Sequence, residues 1–159
     1  MPAVTAKDVM TRGVKTVAPD ATLHQVAELF AAHHIGGAPV VDAATGALVG
    51  IITEADLLNE KKRHAAIPRM ALFGFMLVAE ERWRAAYDEG FALGAQDVMT
   101  RNVVTASEDT SLSELADTMV RRRVNRVPIV DENGALAGIV TRGDVLRGLH
   151  AAAAGGDAP

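Results

Sequence analysis

Along this chain the apolar positions fall into the same succession of runs twice. Leu23, Val26, Ala27 and Phe30 recur at helical spacing, and so do Leu112, Leu115, Ala116 and Met119. A hydroxyl residue followed three positions on by Gln or Glu precedes each series: Thr22 with Gln25, Ser111 with Glu114. That is the capping-box pattern, which satisfies helix-opening N–H groups reciprocally, so it predicts a helix start at both places. Two short contiguous apolar runs then follow, Pro39–Val41 and Leu48–Ile52 in the first stretch, Pro128–Val130 and Leu136–Val140 in the second. Each pair is joined by a glycine-containing turn, and Asn133-Gly134 between apolar runs is a strong hairpin signal. Val14–Val17 and Val103–Ala106 suit a brief strand before each helix, and a closing helix is expected to open at Thr53 and at Thr141. The predicted unit is β-α-β-β-α.

The two stretches are copies. Asp8-Val9-Met10-Thr11-Arg12 recurs as Asp97-Val98-Met99-Thr100-Arg101, and aligning 8–42 with 97–131 gives 13 identities in 35 positions. After a one-residue slip in the turn, 46–58 against 134–146 gives 8 in 13. One such unit is too small to bury both faces of its sheet. The expected architecture is therefore an α/β (α+β) chain of two repeats, residues 6–58 and 95–149, packed together with approximate two-fold symmetry. Residues 59–94 form an insert with no counterpart in either repeat. Trp83, Tyr87 and Phe91 in it stand four apart, which places them on one face of a helix. That face either packs on the repeats or is offered to a partner or second copy. Residues 150–159, small and simple, are expected to fray.

Composition narrows the function classes. The formal charge is −4, which speaks against a generally basic nucleic-acid binder. There is no cysteine, so disulfides and thiolate metal sites are excluded. The first residues lack the apolar core of a secretory signal, and the longest apolar stretch, Met70–Ala79, is about half of what a spanning helix needs. A cytoplasmic protein without membrane association is the expectation.

The chemistry-bearing pattern also occurs twice: Gly50-Ile-Ile-Thr53-Glu-Ala-Asp56 and Gly138-Ile-Val-Thr141-Arg-Gly-Asp144. Each leaves a strand and enters a helix. Thr-x-x-Asp is a capping pattern, with the Asp favoured near the positive helix end. The same geometry can serve a ligand, because helix-opening N–H groups and a hydroxyl suit phosphate and a carboxylate can accept from two ribose hydroxyls. Both readings stay open. The copies differ around this pattern. The second has Arg121–Arg123, Arg126 and Arg142 where the first has Ala32-His33-His34, Gly37 and Glu54. Arg126 and Arg142 are candidates for phosphate pairing, so the second site is expected to favour the more highly charged nucleotide. Adjacent His33 and His34 would point about 100° apart on a helix and have no further ligand at suitable spacing, so no metal site is expected.

The repeats resemble cystathionine-β-synthase (CBS) domains paired as a Bateman module. The resemblance rests on Asp-Val-Met-Thr at each start, Ala38-Pro-Val-Val-Asp42 and Val127-Pro-Ile-Val-Asp131, and the two Gly-h-h-Thr-x-x-Asp segments, h being apolar. It implies two clefts for adenosyl ligands: AMP, ADP, ATP or S-adenosylmethionine. Carried over by position, it puts Thr16 and Thr105 at the adenine edge. Gly37-Ala38-Pro39 and Arg126-Val127-Pro128 would form the wall beside the base, Thr53 and Thr141 would face phosphate, and Asp56 and Asp144 the ribose. It further implies homodimers.

No nucleophile–base pair or metal constellation appears, so an enzyme is not expected. The reading is a regulatory nucleotide sensor, with adenine nucleotide as ligand and an unidentified protein partner that reads a ligand-dependent change in repeat orientation or dimer packing. The alternatives are a ligand-free interaction scaffold and, against the charge balance and the lack of stacking aromatics among the basic residues, a nucleic-acid adaptor.

Overall fold

A computed structural model describes residues 3–59 and 93–155. The elements, in order, are α1 (Ala6–Val9), α2 (Leu23–His33), β1 (Gly37–Val41), β2 (Leu48–Thr53), α3 (Glu54–Leu58), α4 (Ala95–Val98), β3 (Ala106–Ser107), α5 (Leu112–Arg122), β4 (Arg126–Val130), β5 (Leu136–Thr141) and α6 (Arg142–Ala154). The aromatic stripe Trp83, Tyr87, Phe91 lies outside the described residues.

The capping boxes open α2 and α5 as their sequences require. The Gln25 amide donates to Thr22 Oγ1 at 3.1 Å and the Glu114 amide to Ser111 Oγ at 3.3 Å, while each Gln or Glu side chain accepts from the cap amide. Both helices end on a non-glycine residue in the left-handed region, His34 at φ 51° and Arg123 at φ 54°. That is a strained conformation for L side chains outside Asn and Asp. The hairpin turns place Gly46 (φ 71°) and Gly134 (φ 78°) in the same region, where glycine is at ease. Asp131 Oδ1 accepts from the Asn133 and Ala135 amides, and Asp42 Oδ1 from Ala44 and Thr45, so each turn is also tied by an aspartate.

The brief first strands differ from expectation. In the first copy the segment reduces to one parallel bridge, Val17 to Val40. In the second it lies later, at Ala106–Ser107, paired in parallel with Ile129 and Val130 of β4. The sheet order β3-β4-β5 makes β4 central, with Pro128 inside it. It is tolerated because β3 covers only Ile129 and Val130, leaving no partner at Pro128 that would require an N–H. The tail also departs from expectation over its first half. α6 continues through Ala154, and the run of alanines from Ala151, the strongest helix formers, accounts for it.

The chain divides into two compact units, and the division crosses the copies. One unit holds the described residues of Met1–Val14, Gly46–Leu48 and Asn102–Pro159; the other holds those of Lys15–Thr45 and Val49–Arg101. Each Asp-Val-Met-Thr segment therefore packs against the hairpin of the other copy. Thr11 exchanges two backbone hydrogen bonds with Ile139, of 2.9 and 3.1 Å, and Thr100 exchanges two with Ile51, of 2.9 and 3.0 Å. The glycine of each Gly-h-h-Thr motif makes room for the methionine. A Cβ at Gly138 would lie 2.6 Å from Met10 Sδ and 2.9 Å from the Thr11 carbonyl; one at Gly50 would run into Met99 Sδ and lie 3.1 Å from the Thr100 carbonyl. Two motifs far apart in sequence are thus halves of one contact. Each unit has its own core: Ala6, Met10, Leu112, Leu115, Met119, Val127, Ile129, Val140 and Val145 in one; Val17, Val26, Phe30, Ala38, Val40, Ile52, Ala95, Val98 and Met99 in the other.

Candidate functional site

Two strand-to-helix corners, one in each unit, collect the candidate residues. In the unit holding β3–β5, Arg126 at the start of β4 lies across from Thr141 at the end of β5, and α6 begins at the next residue. The Arg142 amide donates to the Asn125 carbonyl at 3.0 Å, which fixes the helix start against the strand entry. The same bond recurs in the other unit, from the Glu54 amide to the Gly36 carbonyl at 3.0 Å. The duplicated backbone thus presents Thr53 and Asp56, and Thr141 and Asp144, in equivalent settings.

Among the described residues, Asp56 and Asp144 are the two buried charged side chains, at 7% and 8% exposure. A buried carboxylate is costly unless hydrogen-bonded, and each is. Asp144 Oδ2 accepts from the Thr141 amide and from Thr141 Oγ1, both at 2.7 Å, and the Asp144 amide donates back to Thr141 Oγ1 at 3.3 Å. Asp56 Oδ2 accepts from the Thr53 amide at 2.9 Å and from Thr53 Oγ1 at 3.3 Å. The capping geometry is therefore formed at both corners. Asp144 Oδ1 is also ion-paired with Arg147, one helical turn further on. The sequence reading missed Arg147, although Asp and Arg three apart on a helix carry the signal. Arg142 reaches the Asn125 side-chain carbonyl at 3.3 Å.

The remaining candidates differ in exposure. Thr16 and Thr105 are exposed, immediately before Val17 and before β3. Gly37 and Arg126 are half-buried at the strand entries. Ala38, Pro39, Val127 and Pro128 are fully buried, with Ala38 and Val127 belonging to the two cores. Their side chains face inward, so a molecule at this edge would meet their backbone. Arg121, Arg122 and Arg123 are exposed, and Arg123 is a helix cap rather than a third successive helical residue. His34 is likewise a cap. Among the described residues no three His, Asp or Glu side chains are grouped to hold a metal ion, and no helix is long and apolar enough to cross a membrane.

A family model described as the CBS domain matches residues 6–63 and, a second time, residues 95–151. The chain belongs to the CBS-domain family. The CBS pair is 34% identical over 152 residues to the uncharacterised protein MJ1426 of Methanocaldococcus jannaschii, covering 90% of this chain and 89% of that one. It spans only 23% of an inosine-5'-monophosphate dehydrogenase from the same organism. Among solved structures, Arabidopsis thaliana CBSX2 in complex with AMP is similar at 25% identity, covering 94% of this chain and 98% of that one with a TM-score of 0.70. The CBS domain pair of protein MJ0100, in complex with 5'-methylthioadenosine and S-adenosyl-L-methionine, is similar at 26% identity. It covers 95% and 99% of the two chains, with a TM-score of 0.69. The tandem CBS repeats and the α+β class expected from the sequence are thus present.

Proposed function

We propose that this CBS pair is a regulatory adenosyl-ligand sensor, acting by binding and not by catalysis. The observation that carries the reading is the pair of buried, hydrogen-bonded aspartates at duplicated strand-to-helix corners. In each, a carboxylate beside a helix N-terminus and an adjoining strand entry can accept ribose hydroxyls, while phosphate lies toward the positive helix end. The similarity to CBS pairs solved with AMP and with S-adenosyl-L-methionine supports the choice of ligand class. Thr16 and Thr105 would meet the adenine edge. The backbone of 37–39 and 126–128 would flank the base, and Thr53 and Thr141 would face phosphate. A cytoplasmic homodimer whose packing or repeat orientation changes with ligand would signal to a partner that distinguishes the two states.

The test is calorimetric titration of nucleotide-stripped protein with AMP, ADP, ATP and S-adenosylmethionine, repeated on Asp56→Ala/Asp144→Ala. Saturable binding lost in the double variant is the expected result. No binding by the parent protein would leave both motifs as helix caps and favour a ligand-free interaction scaffold.

A further inference from the structure

The two corners are built alike, and each is held by a stretch of chain from the other copy. At the second corner, Thr141 follows Val140 and Asp144 precedes Val145, and both valines are buried in one core with Ala6 and Met10. Residues 6–11 touch the elements on either side of that corner. On the strand side, Met10 packs on Gly138 and Thr11 exchanges its two backbone hydrogen bonds with Ile139. On the helix side, a Cβ at Gly148 would lie 2.9 Å from Val9 Cγ1, so α1 lies close against α6 about one turn beyond Asp144. At the first corner, Ile52 before Thr53 and Leu57 after Asp56 pack in the other core with Ala95, Val98 and Met99. There Met99 packs on Gly50 and Thr100 exchanges its two hydrogen bonds with Ile51.

We propose that Met10 is a positioning residue for the ligand corner at Thr141 and Asp144, and Met99 for the one at Thr53 and Asp56. Each methionine thus acts on the site whose motif belongs to the opposite copy, a role that rests on the ligand assignment of the corners made above. A strand end and a helix start present a threonine and an aspartate to one ligand only at a fixed mutual angle. Packed against the same short segment, strand and helix cannot splay apart unless that segment yields. Protein interiors are close-packed and relax only partly around a lost side chain, so shortening the methionine lets the two elements shift. Such a shift removes no ligand contact and changes affinity by about three- to tenfold.

The test reads one corner at a time. AMP and S-adenosylmethionine are titrated calorimetrically into Asp56→Ala protein, where the second corner reports, and into Asp144→Ala protein, where the first does. Met10→Ala is expected to weaken binding about three- to tenfold in the Asp56→Ala protein and less than about twofold in the Asp144→Ala protein. Met99→Ala should give the reverse. Met10→Leu and Met99→Leu conserve volume and should restore most of the affinity. Val9→Ala removes less from the half-buried side of α1 and serves where Met10→Ala does not fold; its loss should be smaller and confined to the second corner. General destabilisation would not produce this crossed pattern. Where only one corner binds, the methionine from the opposite copy should weaken it and the other methionine should not. A loss at the corner of the methionine's own copy, equal losses at both corners, or no loss overturns the proposal and leaves the sensor reading standing. Absence of binding of both compounds by the unsubstituted protein overturns both.

Discussion

The corner at Thr53 and Asp56 and the corner at Thr141 and Asp144 share a backbone and differ in nearly every side chain around it. Strand end, threonine, buried aspartate and the amide-to-carbonyl bond at the helix start recur in both. Gly36, Gly37, Glu54, Ala55 and Asn59 of the first become Asn125, Arg126, Arg142, Gly143 and Arg147 of the second. The box itself is tighter in the second, with the threonine hydroxyl 2.7 Å from the carboxylate against 3.3 Å in the first. Duplication has thus kept the parts that satisfy backbone groups and changed the charge and bulk at the rim. The geometry that holds an aspartate at a helix start is a folding requirement, and the rim is where ligand discrimination can diverge without cost to the fold.

The largest expected effect tests the shared part. Gly138→Ala and Gly50→Ala each force a methyl against a methionine sulfur and a backbone carbonyl that is itself in a two-way hydrogen-bonded bridge. Overpacking of this kind costs about 1–3 kcal/mol, and the backbone contact puts both at the upper end. Urea midpoints should fall for both variants by similar amounts. A loss at one position only would mean that the methionine–glycine contact is equivalent in sequence but not in strain. Shortening the methionine should recover part of the loss in the double variants Met10→Ala/Gly138→Ala and Met99→Ala/Gly50→Ala.

That contact also shows where sequence reading stopped. The repeats, the capping boxes, the hairpins and the two aspartates were legible because each is written in local spacing: Ser111 with Glu114, Asn133 with Gly134, Thr141 with Asp144. The exchange of opening segments was not. Met10 and Met99 are identical in sequence context, so self-comparison cannot say which glycine either one meets. The structure pairs Met10 with Gly138 and Met99 with Gly50. The inward orientation of Ala38 and Val127 was hidden for a related reason. A run of apolar residues after a helix reads the same whether it lines a cleft or fills a core. Arg147 is legible in principle, at helical spacing from Asp144, but the same spacing also describes an ordinary solvated ion pair on a helix surface.

The capping boxes give the next effect. Thr22→Ala and Ser111→Ala remove acceptors that bond the Gln25 and Glu114 amides, and each should cost about 1 kcal/mol in chemical denaturation. Equal losses would sharpen the view that the scaffold is common to both copies. A clear loss in one and none in the other would break it.

At the rim, the expected difference is in ligand charge. With Asp56→Ala leaving only the second corner, ATP should bind more tightly than AMP; with Asp144→Ala leaving only the first, the preference should vanish or reverse beside Glu54. Arg142 is exposed, so its share is small, about 1 kcal/mol or roughly fivefold in the ATP-to-AMP ratio. Arg142→Glu together with Arg126→Gly, which copies the first rim onto the second, should remove it. Equal ATP-to-AMP ratios at the two corners before any rim substitution would overturn the distinction.

The smallest effect separates the two opening helices. Asp8 accepts from the Thr5 amide at 2.8 Å and from Thr5 Oγ1 at 2.9 Å. The amide bond chiefly, then the hydroxyl bond, hold its carboxyl below the ordinary value of 3.8. A carboxyl depressed on folding contributes stability that is complete above its unfolded value and is lost as pH falls through the folded one. The contribution should therefore be constant at neutral pH and disappear only below about 3.8. The equivalent cap in the other unit is Gly94, whose amide donates to Asp97 Oδ2 at 2.8 Å with no hydroxyl to add. Thr5→Gly copies that arrangement and removes the weaker of the two causes. Following the Asp8 carboxyl by NMR through an acid titration, the midpoint should rise only part of the way toward 3.8 in Thr5→Gly, because the amide still donates. A full return to 3.8 would show that the hydroxyl, present at only one of the two caps, holds the charge.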